Sequence, residues 1–287
     1  MTRLTRHAPA KVNLALHVVG RRPDGYHLID TLVAFAAIGD LIAVEPAETL
    51  TLDVDGPFAA ALDGDPANNL VLRAARLLAA EAVAAGRHHS GARIRLTKAL
   101  PVASGIGGGS SDAAATLLAL NDLWDLRFDD ARLAALGLRL GADVPMCLAG
   151  RPARVTGIGE QVTLCPRLPD HALMLVNPGV AVATPQIFRG LTKRDNPPLP
   201  DLPSKWADLD HLIDWLAPTR NDLQATAEAL APAIGETLDV LRALPGCRLA
   251  RMSGSGATCF GIFADGAAAN AAAATVRGMR PAWWATV

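Results

Sequence analysis

The sequence has few aromatic residues and no excess of charge of either sign. Aromatic residues make up 4% of its 287 residues, with a single tyrosine. The chain has 27 Lys and Arg residues and 28 Asp and Glu residues. A nucleic-acid-binding protein would usually carry a basic excess, so this class is disfavoured. Half of the chain is apolar, mainly alanine, leucine and valine, which predicts a soluble globular protein with a sizeable core.

Cysteine pairs and long hydrophobic runs are also missing. The four cysteines form no C-x-x-C pair and have no histidine at metal-ligand spacing, so we expect reduced, mostly buried thiols and no metal site built by the protein. No run approaches the roughly 18 apolar residues of a membrane span. Asn13 and His17 interrupt the apolar segment behind the basic N-terminus, and no signal-peptide cleavage site follows. These absences predict a cytoplasmic protein with no membrane partner.

Periodicity in the first half predicts strands followed by helices. The predicted strands lie at 11–19, 28–36, 40–44, 50–54 and 92–98. The predicted helices lie at 69–85, 111–124 and 130–140. The early strands indicate an antiparallel meander. Asn68 or Asn69 is placed to cap the first helix, and Gly86 to end it.

The second half continues with short strands and helices. The predicted strands lie at 151–156, 161–164, 171–176, 248–253, 258–263 and near 283. The predicted helices lie at 208–216, 222–230, 232–244 and 267–276, with a further helix that Thr184 caps and Pro185 begins. Because strands and helices segregate rather than alternate strictly, the sequence predicts an α+β fold in two domains. We expect these domains to span 1–160 and 161–287.

The stretch "PVASGIGGGSSDAAATLLAL", Pro101 to Leu120, places glycines directly before a good helix former. The first N–H groups of a helix have no partner inside it, and the helix dipole adds positive charge there, so such a start binds anions. Gly107–Gly109 would let phosphate approach the backbone, and Ser110 and Ser111 offer hydroxyls to phosphate or Mg²⁺. Neither G-x-x-x-x-G-K-[ST] nor G-x-G-x-x-G fits the segment. It predicts a phosphate site of another kind, with a flexible loop before a serine-capped helix as the alternative.

Three stretches together resemble the GHMP kinases, the small-molecule kinases named for galactokinase, homoserine kinase, mevalonate kinase and phosphomevalonate kinase. The glycine-rich segment resembles their second motif, "APAKVNLALHV" near the N-terminus their first, and "MSGSGATCFGIF" from Met252 their third. The three come in the family's order and spacing across essentially the whole chain. The resemblance implies an α+β, two-domain fold. Its N-terminal α/β unit would resemble the second domain of ribosomal protein S5, and its C-terminal α/β unit would be ferredoxin-like.

Two stretches resemble one branch of this family more closely. They are "AKVNL…RRPDGYH", from Ala10 to His27, and "LGADVP", from Leu140 to Pro145. The resemblance implies phosphorylation of the 2-hydroxyl of a cytidine diphosphate ester of methylerythritol in non-mevalonate isoprenoid synthesis. It implies ATP as phosphate donor and Mg²⁺ carried mainly by that nucleotide. The alternatives are a homoserine- or mevalonate-type kinase of the same family, or a catalytically silent nucleotide-binding homologue.

The resemblance also assigns residues to tasks. Asp143 would be the general base at the acceptor hydroxyl with Lys11 as its partner, because a neighbouring ammonium keeps a carboxylate ionised and stabilises developing negative charge. The implied ATP-binding residues are Asn68, Lys98, Pro101, Val102, Ala103, Ser104, Gly105, Ile106, Gly107, Gly108, Gly109, Ser110 and Ser111. The implied substrate-binding residues are Asn13, Tyr26, His27, Thr184, Phe188, Gly254, Ser255 and Gly256.

Each of these residues also has a purely structural alternative. Tyr26 and His27 would bind cytosine through a ring face and a polar edge, but Tyr26 could simply pack on its own turn. Lys11 could be a solvent-exposed lysine at a strand start, and Asp143 could cap a loop. For Asn68, a helix cap at this position or at its neighbour would explain the asparagine pair.

Overall fold

The computed structural model describes residues 3–62 and 68–287. The strands are β1 (Leu4–Arg21), β2 (His27–Ala47), β3 (Thr51–Asp55), β4 (Gly91–Thr97), β5 (Ala153–Gly157), β6 (Gln161–Leu164), β7 (Ala172–Asn177), β8 (Leu249–Met252), β9 (Cys259–Phe263) and β10 (Trp284–Thr286). The helices are α1 (Leu70–Ala84), α2 (Gly108–Leu123), α3 (Asp130–Leu140), α4 (Val144–Ala149), α5 (Thr184–Gly190), α6 (Leu209–Leu216), α7 (Gln224–Leu230), α8 (Ala233–Ala243) and α9 (Gly266–Met279). In this part of the chain, no helix combines the length and apolarity needed to cross a membrane.

These elements divide into two compact units. The first unit comprises the residues up to Ala10, Ile38–Val102 and Gly107–Gly150, and the second comprises Lys11–Ala37, Ala103–Ile106 and Arg151–Val287. Both β1 and β2 run from one unit into the other, so each unit is discontinuous in sequence. The units therefore differ from the domain division expected at residue 160, which stays a prediction.

The sheet of the first unit is not the expected meander. The end of β2 pairs antiparallel with β4, with Leu41 opposite Thr97. In turn β4 pairs in parallel with β3, and helix α1 connects these two strands. Parallel neighbours need such a crossover, because a tight turn reverses the chain direction. The prediction of a meander is wrong here. Helix α1 connects β3 to β4, and β4 then pairs between β2 and β3.

Strand β2 is continuous where the sequence predicted two strands separated around Gly39. A Cβ atom at Gly39 would lie 2.4 Å from the backbone oxygen of Ala8. Only glycine therefore allows the backbones to approach so closely at this position. The interruption of the apolar pattern marks a close backbone contact and not a turn.

The second unit is built around an antiparallel sheet in the strand order β10-β7-β9-β8. Helices α8 and α9 pack on this sheet. Its apolar core includes Met174, Leu238, Leu241, Phe263 and Val276. Elsewhere in this unit the first part of β2 pairs with β5, and β5 pairs with β6. The prediction of an α+β fold is confirmed.

The helix ends agree with the sequence in part. The side chain of Asn69 caps α1 by accepting from the Val71 N–H at 2.9 Å, and Gly86 follows the helix with φ +67°. Both predictions are confirmed, and the capping role falls to Asn69 and not to Asn68. Ala183 is the N-cap of α5, so the prediction that Thr184 caps this helix is wrong by one residue.

Candidate active site

The glycine-rich segment leads into α2 as the sequence predicted, but the helix begins three residues earlier. Gly107 takes the cap position with φ +64°, and no side chain caps the helix. The Ser111 N–H bonds to the Gly107 carbonyl at 2.9 Å. The N–H groups of Gly108, Gly109 and Ser110 precede that bond and have no acceptor within the helix. Since Gly109 is exposed, these donors are accessible to an anion, and the phosphate site stays a prediction. A serine cap, the alternative interpretation, is wrong.

A buried ion triad lies at the start of this helix in the first unit. The Lys98 ammonium is 3.0 Å from Asp112 Oδ2 and also pairs with Asp40. A Cβ atom at Gly108 would lie 3.0 Å from the same ammonium. The Lys98 side chain is 3% exposed, and its ammonium is already paired with two aspartate side chains. Its contact with ATP stays a prediction that this placement does not favour.

Asp112→Asn is expected to flatten the dependence of stability on pH. Burial raises the pKa of Asp112 to about 7, with Lys98 opposing and Asp40 adding to the shift. The folded chain therefore holds a proton that the unfolded chain releases near 3.8. The stability from this proton is fully present below about pH 4 and is lost as the pH rises through 7.

Urea unfolding between pH 5 and pH 8 measures this effect. The parent should lose more unfolding free energy than the Asp112→Asn variant as the pH rises. Asp122→Asn, at a half-exposed position on the same helix, serves as the matched control. Equal losses in parent and Asp112→Asn would contradict the prediction.

Segments of all three motifs meet in the second unit. The Lys11 N–H donates to the Ile106 carbonyl at 2.9 Å. The Asn13 N–H donates to Ser253 Oγ at 3.1 Å, and that hydroxyl donates to the Gly105 carbonyl at 3.0 Å. Ser253 therefore joins the first motif to the second, although the sequence had not singled it out.

Gly105→Ala is expected to destabilise the protein more than Gly86→Ala. Both glycines have left-handed backbones, with φ +78° and +67°. A Cβ atom at Gly105 would lie 2.5 Å from the Ser253 carbonyl oxygen, whereas Gly86 has nothing within 4 Å. Backbone strain alone should lower the unfolding free energy of Gly86→Ala by about 1–2 kcal/mol. The clash should bring the loss for Gly105→Ala to about 2–5 kcal/mol. Urea unfolding measures both, and equal losses would contradict the close packing of these motifs.

The predicted catalytic residues have defined surroundings, each in its own unit. Lys11 is buried, and its ammonium donates to Asn13 Oδ1 at 2.9 Å. The Asn13 amide in turn donates to Thr31 Oγ1 at 2.9 Å. The alternative of a solvent-exposed Lys11 is therefore wrong. Asp143 stands at the cap position of α4 without a side-chain capping bond, so helix capping does not explain it.

The predicted cytosine residues lie in the second unit. The His27 ring stacks on Phe188 with centroids 4.9 Å apart and an interplanar angle of 27°. Tyr26 is 62% exposed, which disfavours the alternative that it packs on its own turn. The hydroxyls of Thr184 and Ser255 are 2.7 Å apart, which joins α5 to the third motif. Burial lowers the pKa of His27, and the Arg194 and Arg21 charges lower it further.

Asn221 and Arg251 are supporting residues that sequence reasoning missed. Asn221 precedes α7, and its amide donates to the Met252 and Gly254 carbonyls at 2.8 Å. Arg251 donates to the Leu14 carbonyl at 2.6 Å. Burial lowers its pKa to about 10. No local pattern signals these contacts, since their partners are distant in sequence.

The N–H donors at the start of α2 have the chemistry that phosphate oxygens accept from. Among residues 3–62 and 68–287, no group of three or more His, Cys, Asp or Glu side chains could hold a metal ion. The Ser111 hydroxyl donates to the Pro9 carbonyl at 2.7 Å, whereas Ser110 is partly exposed. Ser110 is therefore the better placed hydroxyl for Mg²⁺, which prefers oxygen ligands and retains water and phosphate in its shell.

Comparison with known proteins identifies the family. The model of the GHMP kinases N terminal domain matches residues 69–151, and that of the GHMP kinases C terminal domain matches residues 201–280. The 4-diphosphocytidyl-2-C-methyl-D-erythritol kinase of Cereibacter sphaeroides is 54% identical over 278 residues, covering 96% of this chain and 95% of that protein. The kinase of the same name from Ruegeria pomeroyi is 53% identical over 280 residues, with 96% and 95% coverage.

A solved structure agrees with these relatives. The crystal structure of a 4-(cytidine 5'-diphospho)-2C-methyl-D-erythritol kinase matches this fold with a TM-score of 0.78 and 38% identity over 98% of each chain. Such likeness extends over nearly the whole length of both proteins. The chain therefore belongs to the GHMP kinase family, among the 4-diphosphocytidyl-2-C-methyl-D-erythritol kinases.

Proposed function

We propose that this protein uses ATP to phosphorylate the 2-hydroxyl of 4-(cytidine 5'-diphospho)-2-C-methyl-D-erythritol in non-mevalonate isoprenoid precursor synthesis. One observation carries the proposal. The Lys11 strand, the loop at Gly105 and the loop at Ser253 are hydrogen-bonded to one another in the second unit. The names of the relatives, which are more than half identical to this chain, support the substrate.

The nucleotide would bind at the glycine-rich segment. The N–H groups of Gly108, Gly109 and Ser110 would donate to phosphate oxygens, and the dipole of α2 would favour their charge. Residues 101–107 would curve around the phosphates, with Asn68 as a further ATP contact. Mg²⁺ on the nucleotide would neutralise phosphate charge, and the Ser110 hydroxyl would help to hold it.

The acceptor hydroxyl would react at Asp143 and Lys11. The Asp143 carboxylate takes the proton of the 2-hydroxyl while that oxygen bonds to the γ-phosphorus. The bond between this phosphorus and the β,γ-bridging oxygen breaks, and ADP leaves. The Lys11 ammonium, held by Asn13, stabilises the charge that develops on the transferred group.

The cytidine part of the substrate would bind in the second unit. Tyr26 offers an exposed ring for stacking, and His27 offers ring nitrogens to the base. Phe188 holds the His27 ring in place. Thr184 and the loop from Gly254 to Gly256 would line the same pocket, since the Thr184 and Ser255 hydroxyls are in contact.

Domain division and location follow from the same assignment. We infer domains 1–160 and 161–287, because the two family-model matches lie on either side of residue 160. We infer a cytoplasmic location, because ATP is the donor and all four cysteines are free thiols.

A coupled assay of ADP release tests the proposed function. The purified protein with Mg²⁺ and ATP is given the cytidylyl substrate, homoserine or mevalonate in parallel. We expect kcat/KM for the cytidylyl substrate to exceed the others by about a thousandfold or more, because a site with polar partners rejects substrates that leave them unpaired. Preference for homoserine or mevalonate would contradict the proposal. ATP binding without turnover of any substrate would indicate a catalytically silent homologue.

A further inference from the structure

Arg194, in the loop after α5, has a buried polar atom that no contact explains. Its Nε atom is buried and has no hydrogen-bond partner among the residues that the structure describes. A terminal nitrogen of the same guanidinium makes a long contact of 3.4 Å with the Arg189 carbonyl near the end of α5. Leaving a buried charged donor unpaired costs free energy. An acceptor on a bound ligand would recover that cost.

His27 presents a second unpaired atom beside the same helix. Its Nε2 atom is buried and unpartnered within the described ranges 3–62 and 68–287. Its ring stacks on Phe188, the residue directly before Arg189, whose carbonyl Arg194 contacts. The charges that act on the His27 ring come from Arg194 and Arg21, and both are positive. A planar ring and an unpaired cation thus lie at one end of α5.

The loop that carries Arg194 is fixed to the strand that carries the first motif. The backbone N–H and the side-chain amide of Asn196 both donate to the Val18 carbonyl, at 3.0 and 3.1 Å. This anchor lies two residues after Arg194. The backbone beside Arg194 is therefore fixed before a ligand arrives, which lowers the entropy cost of ordering this loop on binding.

We propose that Arg194 is a specificity-determining residue that donates from Nε to the diphosphate of the cytidylyl substrate. The inference rests on the proposed function and names the group that reads the diphosphate. A guanidinium prefers an anionic phosphate to a neutral base edge, because both partners are then charged and its planar donor fork matches the phosphate oxygens. With the base beside His27 and Phe188, the attached diphosphate would meet the unpaired charge.

Binding of cytidine diphosphate and of cytidine to the full chain tests this inference. Calorimetry is done on the parent and on Arg194→Gln with saturating ADP present, so that the ATP site is occupied. The Kd of cytidine diphosphate should rise about tenfold or more in the variant, whereas the Kd of cytidine should not change. The KM of the cytidylyl substrate should rise in parallel while the KM of ATP stays the same.

Two further variants distinguish a direct hydrogen bond from Arg194 to the diphosphate from a general effect of positive charge. Lys193→Gln removes the same charge from the exposed neighbour and should leave both Kd values unchanged. Arg194→Lys keeps the charge without the planar fork and should restore only part of the affinity. Unchanged binding of cytidine diphosphate to Arg194→Gln, or equal loss for cytidine, would overturn the inference. The proposed function would fail separately, through a parent protein that does not turn over the cytidylyl substrate.

Discussion

Asp143→Asn is expected to lower kcat by about 10²- to 10⁴-fold while leaving the KM of ATP nearly unchanged. An amide cannot take the proton of the acceptor hydroxyl, so the phosphoryl acceptor stays a weak nucleophile. Binding of the nucleotide should persist, because it depends on backbone donors at the start of α2. Steady-state ADP release with the cytidylyl substrate measures the effect, and thermal unfolding checks that the variant is folded.

A matched aspartate in the same unit serves as the control. Asp130 lies in the first turn of α3, and Asp130→Asn removes one carboxylate without touching the proposed site. This control should keep the kcat of the parent. An Asp143→Asn enzyme with the parent's kcat would remove Asp143 from the mechanism. If both variants failed to fold, the loss of activity would be explained by destabilised helix starts and not by a missing general base.

Lys98→Met is expected to cause the largest loss of stability, about 3–5 kcal/mol of unfolding free energy. The substitution leaves Asp40 and Asp112 buried without their cation. Asp40 cannot move away easily, because its other carboxylate oxygen accepts from the Ala99 and Leu100 N–H groups at 2.6 and 2.8 Å. Urea unfolding at pH 7 measures the loss.

Neutralising the partners should restore stability to this variant. The triple substitution of Lys98→Met with Asp40→Asn and Asp112→Asn removes the buried charges together and should recover most of the loss. Lys193→Met, at an exposed lysine, is the control for charge removal at a surface. If Lys98 served ATP instead, Lys98→Met would keep its stability and raise the KM of ATP, and that pattern would contradict the structural role.

The local parts of the fold could be predicted from the sequence. The cap at Asn69 and the bounds Asp130–Leu140 of α3 agree with the structure, because caps and helical periodicity depend on neighbours within one or two turns. The pairing of β3 with β4 could not be predicted, since it depends on how α1 returns the chain. The continuity of β2 at Gly39 depends on a backbone contact with Ala8, which no local pattern reveals.

The candidate site likewise has local features that the sequence predicts and long-range contacts that it does not. The prediction of an anion site at Gly107–Gly109 follows from the physics of a helix start, and the proposed roles of Lys11 and Asp143 come from resemblance. The partners of Lys98 could not be found, because Asp40 is 58 positions away in the sequence. The placement of Asn221 against the third motif likewise joins residues separated by about 30 positions. Such contacts appear only once the chain has folded.

The most direct test of the central claim is a crystal structure with a non-hydrolysable ATP analogue and the cytidylyl substrate bound together. We expect β- and γ-phosphate oxygens within about 3.2 Å of the N–H groups at Gly108, Gly109 and Ser110. The Asp143 carboxylate should accept a hydrogen bond from the 2-hydroxyl. A polyphosphate bound away from the start of α2, or a reacting hydroxyl served by a different side chain, would contradict the account.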